Sequence, residues 1–324
     1  MESPSKTNGP GAGEEPRLDV SFLVCTYNRA ADLRELLASL REQDTAGGSV
    51  SYEVVIVDNN STDETAAVIA DFRQQNATPV RTGFEPRQGK GYALNTALQL
   101  ARGTVCAIAD DDLVLPREYV QILWKTFCAH PQVSLVGGRI LPQWKGAAPA
   151  WLTADHYAAI ALSNFGDQPF FTGKDRPVCL LAAAFRKDDL LRVGEYRAGI
   201  GVSGRVVVGG IEDAEIYDRM YRASMQGFYQ PELSLYHKVE ADRMAKSYHR
   251  KWHRARGRHY AMARFPEFDV GAWHFAGVPS HFYRSTLKDL FRWAVYTAAG
   301  RPEAFKFETN LWFFWGYVQY KLQK

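Results

Sequence analysis

The sequence is short of several things, and each shortage removes a class of protein. Its 324 residues hold four cysteines, at 25, 106, 128 and 179, with no CxxC pair. That supplies neither a disulfide framework nor a zinc cage, and a reducing, cytoplasmic compartment is expected. No apolar run approaches the ~20 residues that span a bilayer; the longest, residues 311–318, is too short. The opening MESPSKTNGP lacks the apolar stretch of a secretory signal, and residues 1–16 read as a disordered leader. GxGxxG is missing after the first strand-like run, which disfavours dinucleotide hydride chemistry. Net charge is only +3, and with no recognised nucleic-acid module beside it, no nucleic-acid partner is expected.

What is present suits a large globular unit: 46% hydrophobic and 13% aromatic residues, ample for a packed core. Charge is uneven. Residues 237–259 carry eight Lys/Arg against Glu240 and Asp242, a local +6 in a chain whose total is +3, so the remainder carries −3. Such a run reads as a solvated helical face or as a surface for diphosphates or anionic headgroups.

Strand and helix patterns alternate four times. Val20-Ser21-Phe22-Leu23-Val24-Cys25 is a β-type run that ends at Thr26-Tyr27-Asn28-Arg29, and Leu33, Leu36, Leu37 and Leu40 follow at helical spacing. Residues 52–57 form a second apolar strand ending at Asp58-Asn59-Asn60, after which Ser61 and Glu64 have the spacing of a capping box. A short strand near Val80 leads to Gly89-Lys90-Gly91, where glycine lets backbone approach a ligand and Lys90 can reach a phosphate. The fourth strand, residues 104–109, runs into Asp110-Asp111-Asp112, and a helix from Pro116 to about Ala129 follows. Three adjacent carboxylates repel one another unless a cation intervenes, so they are either a solvated turn or a site for magnesium or manganese. The alternation predicts an α/β fold with a mostly parallel, Rossmann-like sheet, helices on both faces, and ligands beyond the carboxyl ends of the strands.

The ordered set Cys25-Thr26-Tyr27-Asn28-Arg29, Val57-Asp58-Asn59-Asn60-Ser61-Thr62-Asp63, Gly89-Lys90-Gly91 with Asn95, and Asp110-Asp111-Asp112 resembles the family 2 glycosyltransferases of the GT-A fold over residues 18–260. The resemblance implies an inverting, hexosyltransferase-type enzyme that uses a UDP-sugar with Mg2+ or Mn2+. It implies a nucleotide-sugar site at Thr26, Tyr27, Asn28, Arg29, Asp58, Lys90, Asp110 and Asp111, with Asp58 accepting a bond from the base. It also implies metal ligation by Asp112 of the DxD pair, and His237 matches a histidine that many members carry before an arginine and a basic helix; its role as a ligand or diphosphate contact stays open. Glu212-Asp213 opens a later helix, and Asp213 matches the family's general base, with Glu212 on the acceptor or supporting the base. A nucleotidyltransferase on a sugar phosphate and a noncatalytic nucleotide-sugar binder are the competing readings.

After Ile140 the pattern fades. Residues 141–177 read as an irregular aromatic stretch, residues 178–185 as a buried strand, residues 201–205 as a mobile lid, and residues 227–236 as a strand leading to His237. The expected division is 1–16 leader, 17–140 nucleotide-sugar half and 141–264 acceptor half of a GT-A domain, and 265–324 a helical extension. In that extension Phe282, Leu287, Leu290, Phe291, Ala294 and Val295 share a helix with Arg284, Lys288 and Arg292. Such a helix suits packing on the domain, a second subunit, or the surface of a membrane. The expected partners are a UDP-sugar donor and a saccharide or lipid-linked acceptor.

Overall fold

The computed structural model describes residues 17–197, 212–263 and 273–323. The leader and the 201–205 lid lie outside them. Its first strand, β1 (Leu18–Thr26), shows why the elements form. Val20, Phe22 and Val24 enter one apolar cluster and Leu23 the other, so both faces of the strand are covered. β2 (Tyr52–Asp58) divides in the same way, with Val54 and Ile56 against Val55 and Val57. On the first face lie α1 (Ala30–Arg41), which buries Leu33, Leu36, Leu37 and Leu40, and α2 (Thr65–Gln75). β3 (Val80–Phe84) is followed by α3 (Lys90–Leu100), which covers the opposite face through Ala93, Leu94, Ala97 and Leu98.

β4 (Gly103–Ile108) pairs parallel with β1, β1 with β2, and β2 with β3. The carboxyl ends of these strands therefore lie at one edge, with Thr26 directly opposite Asp58. Then come β5 (Leu113–Val114), α4 (Tyr119–Ala129), β6 (Val133–Trp144), β7 (Phe170–Thr172), β8 (Ala184–Arg186), α5 (Lys187–Val193), α6 (Glu212–Arg222) and β9 (Gln226–Val239). They complete a mixed nine-stranded sheet of order β3-β2-β1-β4-β8-β6-β9-β5, with β7 also on β9. β6 and β9 run parallel, whereas β8 joins β4 and β6 antiparallel. Helices cover both faces of this GT-A-like α/β core.

Two expectations are corrected. Ser61 and Glu64 form no capping box: Ser61 Oγ accepts the Asn28 N–H at 2.9 Å, and Asp63 Oδ1 accepts the Thr65 N–H at 3.0 Å where α2 starts. The strand expected over residues 178–185 shrinks to β8: before it the backbone is irregular, with Cys179, Leu181 and Ala182 lining the cavity described below, Leu180 in the core, and the Ala183 carbonyl accepting the Ile108 N–H at 3.1 Å. Conversely, the region after Ile140 is more regular than its composition suggests, with β6 continuing to Trp144 and a 3-10 turn at Ala154–Ile160.

The C-terminal part is helical. α7 (Lys246–Ala263) packs on α9 (Ala304–Leu322), and α8 (Ser280–Ala298) packs on α9, preceded by the small hairpin of β10 (His274–Phe275) and β11 (Val278–Pro279). Glycines make the α7–α9 crossing close: a Cβ at Gly316 would stand 1.8 Å from the Arg254 carbonyl oxygen, and one at Gly257 2.0 Å from that of Phe313. α8 buries no residue, and its Leu287 and Phe291 are 67% and 72% exposed. Among the described residues no helix is long and apolar enough to cross a membrane.

Candidate active site

Beyond the carboxyl ends of β1 and β4 opens a cavity of about 1360 Å³. A single small ligand typically occupies ~300–1,000 Å³, so this volume leaves room for two substrates. Its floor is two loops pinned together. Asn28 adopts φ 51°, and its side-chain oxygen accepts the Thr62 N–H at 2.7 Å, which ties the loop after β1 to the loop after β2. Asn59 holds the third loop, donating to the Glu85 and Arg87 carbonyls at 2.9 and 2.7 Å and accepting the Gly89 N–H at 2.8 Å. That fixes the start of α3 and brings Lys90 into the cavity.

The three acids after β4 point different ways. Asp110 meets Lys90 Nζ at 2.7 Å. Asp111 turns back into the protein, accepting from Thr26 Oγ1 at 2.9 Å and Arg29 Nη1 at 3.2 Å; burial pushes its carboxyl up to about 7, with Arg29 opposing and Asp112 adding. Asp112 Oδ2 lies 2.6 Å from Arg29 Nη1, 3.3 Å from Arg243 Nη2 and 3.2 Å from His237 Nε2. Burial opposes its ionisation, but His237 and the two guanidiniums hold its carboxyl well below the usual range. His237 reaches this place because β5, immediately after the acids, pairs with β9 so that Leu113 faces His237.

Asp213, in the first turn of α6, lines the same cavity as Lys90, Asp110 and Asp112. Burial raises its carboxyl to about 6; Lys90 pulls it down, while Glu212 and Asp110 push it up. Glu212 lines the cavity beside it and is 4% exposed. Thr26, Tyr27, Asn28, Arg29, Lys90, Asp110, Asp111, Asp112, His237, Glu212 and Asp213 all lie on one cavity wall or another. Asp58 does not line it; one of its oxygens accepts the Ser61 N–H at 2.9 Å, closing its own loop. Sequence reasoning missed Gln88, Tyr157 and a row of α7 side chains as lining residues, and passed over Asn59 as a loop-fixing group.

The donor set fits a hard divalent cation. Asp112 Oδ2 and His237 Nε2 lie 3.2 Å apart on the cavity wall, with the Arg243 guanidinium against both. The carboxylate oxygen suits manganese or magnesium, and the imidazole is the softer ligand of the two. Among the described residues no three His, Cys, Asp or Glu side chains converge as a ready-made cage. Such ions usually take one or two protein carboxylates and complete their shell with substrate phosphates and water.

The family model for glycosyl transferase family 2 matches residues 21–192, more than half of the sequence. The chain belongs to that family. This family 2 chain is 26% identical over 189 residues to the glucosyl-dolichyl phosphate glucuronosyltransferase of Haloferax volcanii, a match covering 58% of each protein. It thus spans little more than half the length of that relative. Its fold is similar to that of a mannosyltransferase from Pyrobaculum calidifontis in complex with GDP-Man and Mn2+, with TM-score 0.61, 21% identity, and 95% and 88% of the two chains covered. It is also similar to residues 1–349 of Staphylococcus aureus TarS in complex with UDP, with TM-score 0.54, 16% identity, and 89% of each chain covered.

Proposed function

We propose that this family 2 protein transfers a glycosyl group from a UDP-sugar to an acceptor hydroxyl with inversion at the anomeric carbon. The observation that carries this reading is Asp213: a carboxyl raised to about 6, facing the cavity that also holds Lys90 and the acid cluster. Asp213 takes the proton of the acceptor hydroxyl as its oxygen bonds to the anomeric carbon; the bond from that carbon to the diphosphate breaks, and UDP leaves. The base and the leaving group stand on opposite faces of the sugar, so one displacement inverts the centre. Tyr27 and Arg29 border the nucleotide, Lys90 meets the diphosphate, and the Asn28 and Asn59 bonds keep those loops in place. Asp112 and His237 would hold Mg2+ or Mn2+, which when bound neutralises charge on the diphosphate oxygens. Glu212 supports the base or the acceptor.

The division into 17–140, 141–264 and 265–324 belongs to the same reading, as does an acceptor that is a saccharide or lipid-linked saccharide of a surface glycan or glycolipid. Unpaired cysteines and the exposed apolar face of α8 support a cytoplasmic location at the membrane surface. Thermal shift with UDP, GDP and nucleoside triphosphates, each with and without Mn2+, tests the donor. UDP with Mn2+ at a hundred times its Kd is expected to add ~2.7 kcal/mol of stability, and Asp112→Ala to remove the metal-dependent part. A response to triphosphates alone, with release of pyrophosphate, would replace glycosyl transfer by nucleotidyl transfer.

A further inference from the structure

α7 presents Tyr248, Trp252, Arg256 and Tyr260 to the cavity that holds Asp213. Spaced by four, these residues form one stripe along the helix, about 18 Å long at 1.5 Å per residue. Three of the four are aromatic. The fourth is clamped by its neighbours: the Arg256 guanidinium carbon is 5.1 Å from the ring centres of both Trp252 and Tyr260, and Nη2 donates to the Tyr260 hydroxyl at 3.2 Å. Among the described residues its charge has no further partner. Arg29, Lys90 and Arg243 meet Asp111, Asp110 and Asp112, whereas among the described residues no carboxylate pairs with Arg256 or with the exposed Lys251 beside it. Of the cations lining the cavity, those with a carboxylate therefore gather at the acid cluster, and those without one among the described residues lie on α7. Cys179 faces both groups: burial, then Asp213, raises its thiol, while Arg256 opposes the shift. Arg256 thus lies within electrostatic range of the same thiol as the base.

We propose that this stripe is the acceptor subsite and that it takes an acidic saccharide, stacked on the aromatic faces, with its carboxylate or phosphate bound by Arg256. The inference rests on the glycosyl-transfer reading and adds the acceptor's chemical class. A rigid guanidinium between rings suits planar or bidentate recognition of such an anion. The surrounding aromatic surface is of the kind that packs the C–H face of a sugar ring.

Three probes test it on the full chain saturated with UDP and Mn2+: methyl glucuronide, glucose 1-phosphate and uncharged methyl glucoside, each followed by saturation-transfer NMR titration. At least one anionic probe is expected to bind about tenfold tighter than the glucoside, roughly the gain of one charge-assisted hydrogen bond; which one wins separates uronate from phosphate recognition. Arg256→Gln should erase that preference, leaving UDP affinity within about twofold of wild type, and Arg256→Lys should keep part of it. Equal binding of all three probes, or a preference unchanged in Arg256→Gln, overturns the inference. So does a loss of UDP affinity in Arg256→Gln, since it would assign the guanidinium to the diphosphate. If wild-type protein binds no UDP, the donor reading fails separately, and the probe ranking is read without nucleotide.

Discussion

Asp213→Asn removes a proton acceptor while keeping the size of the side chain. General-base catalysis by a positioned side chain is typically worth ~10²–10⁴ in rate, or about 3–5 kcal/mol of barrier, so kcat is expected to fall by that range with the UDP Kd nearly unchanged. The pH dependence makes the test sharper. A carboxyl raised to about 6 is about nine-tenths ionised at pH 7 and about one-tenth ionised at pH 5. The acidic limb of kcat/KM should therefore bend near 6. Lys90 is the cation that holds Asp213 down, against Glu212 and Asp110. In Lys90→Gln the two acids act unopposed, Asp213 binds its proton more tightly, and the limb moves to higher pH, whatever the loss in absolute rate from a weakened diphosphate contact. Initial rates of UDP release between pH 5 and 8 measure both effects. A limb that stays in place without Lys90, or an Asp213→Asn enzyme that keeps more than a tenth of kcat, refutes the assignment.

The C-terminal layer should be acid-sensitive. Burial depresses His249 to about 4 and His253 to about 3, so below the ordinary value of 6.5 the unfolded chain takes up protons that the folded chain refuses. Stability from these residues, complete above 6.5, is lost as pH falls toward 4, at up to ~1.4 kcal/mol per pH unit for each histidine. Asp111 and Asp213, whose folded values are raised, act oppositely over part of that window, so the readout is the difference in slope between wild type and His249→Phe in urea titrations; equal slopes would discard the account. Gly316→Ala drives a methyl into the Arg254 carbonyl at the α7–α9 crossing and should cost ~1–3 kcal/mol, and a urea midpoint equivalent to less than ~0.5 kcal/mol would mean that the helices separate freely. The exposed Leu287 and Phe291, flanked by Arg284, Lys288 and Arg292 on α8, predict co-sedimentation with anionic vesicles that Phe291→Glu abolishes. Failure to pellet with such vesicles retires that surface.

The first half of the fold was legible because its signals are local. In β1, β2 and β4 the faces alternate every second residue, in α1 the leucines recur every three or four, and each strand ends at a polar loop. The second half depends on partners distant in sequence. β8 is only three residues long, and it owes its place to β4 and β6 on either side, which nothing in residues 178–185 reveals. The site divides in the same way. Three carboxylates in a row are visible as a cluster, but their roles depend on direction: Asp111 is taken by Thr26 and Arg29, and Asp112 stands beside a histidine that β5 brings from over a hundred residues away.

The basic run of residues 237–259 carries the argument furthest, because read as composition it is one solvated face. Packing sorts it residue by residue. Lys238 pairs with Asp32 and Glu35 on α1, Arg243 with Asp112, Arg250 with Glu308 and Arg254 with Gln319 on α9. Arg256 is left between two rings on the cavity side. Which side of α7 faces the cavity depends on how closely α9 lies against the other, and that approach is set by Gly257 and Gly316, fifty-nine positions apart in the chain. Net charge therefore understates this helix. Lys238, Arg243, Arg250 and Arg254 of this run are tied into the fold, and the specificity it could confer rests on Arg256, which faces the cavity with no carboxylate partner among the described residues.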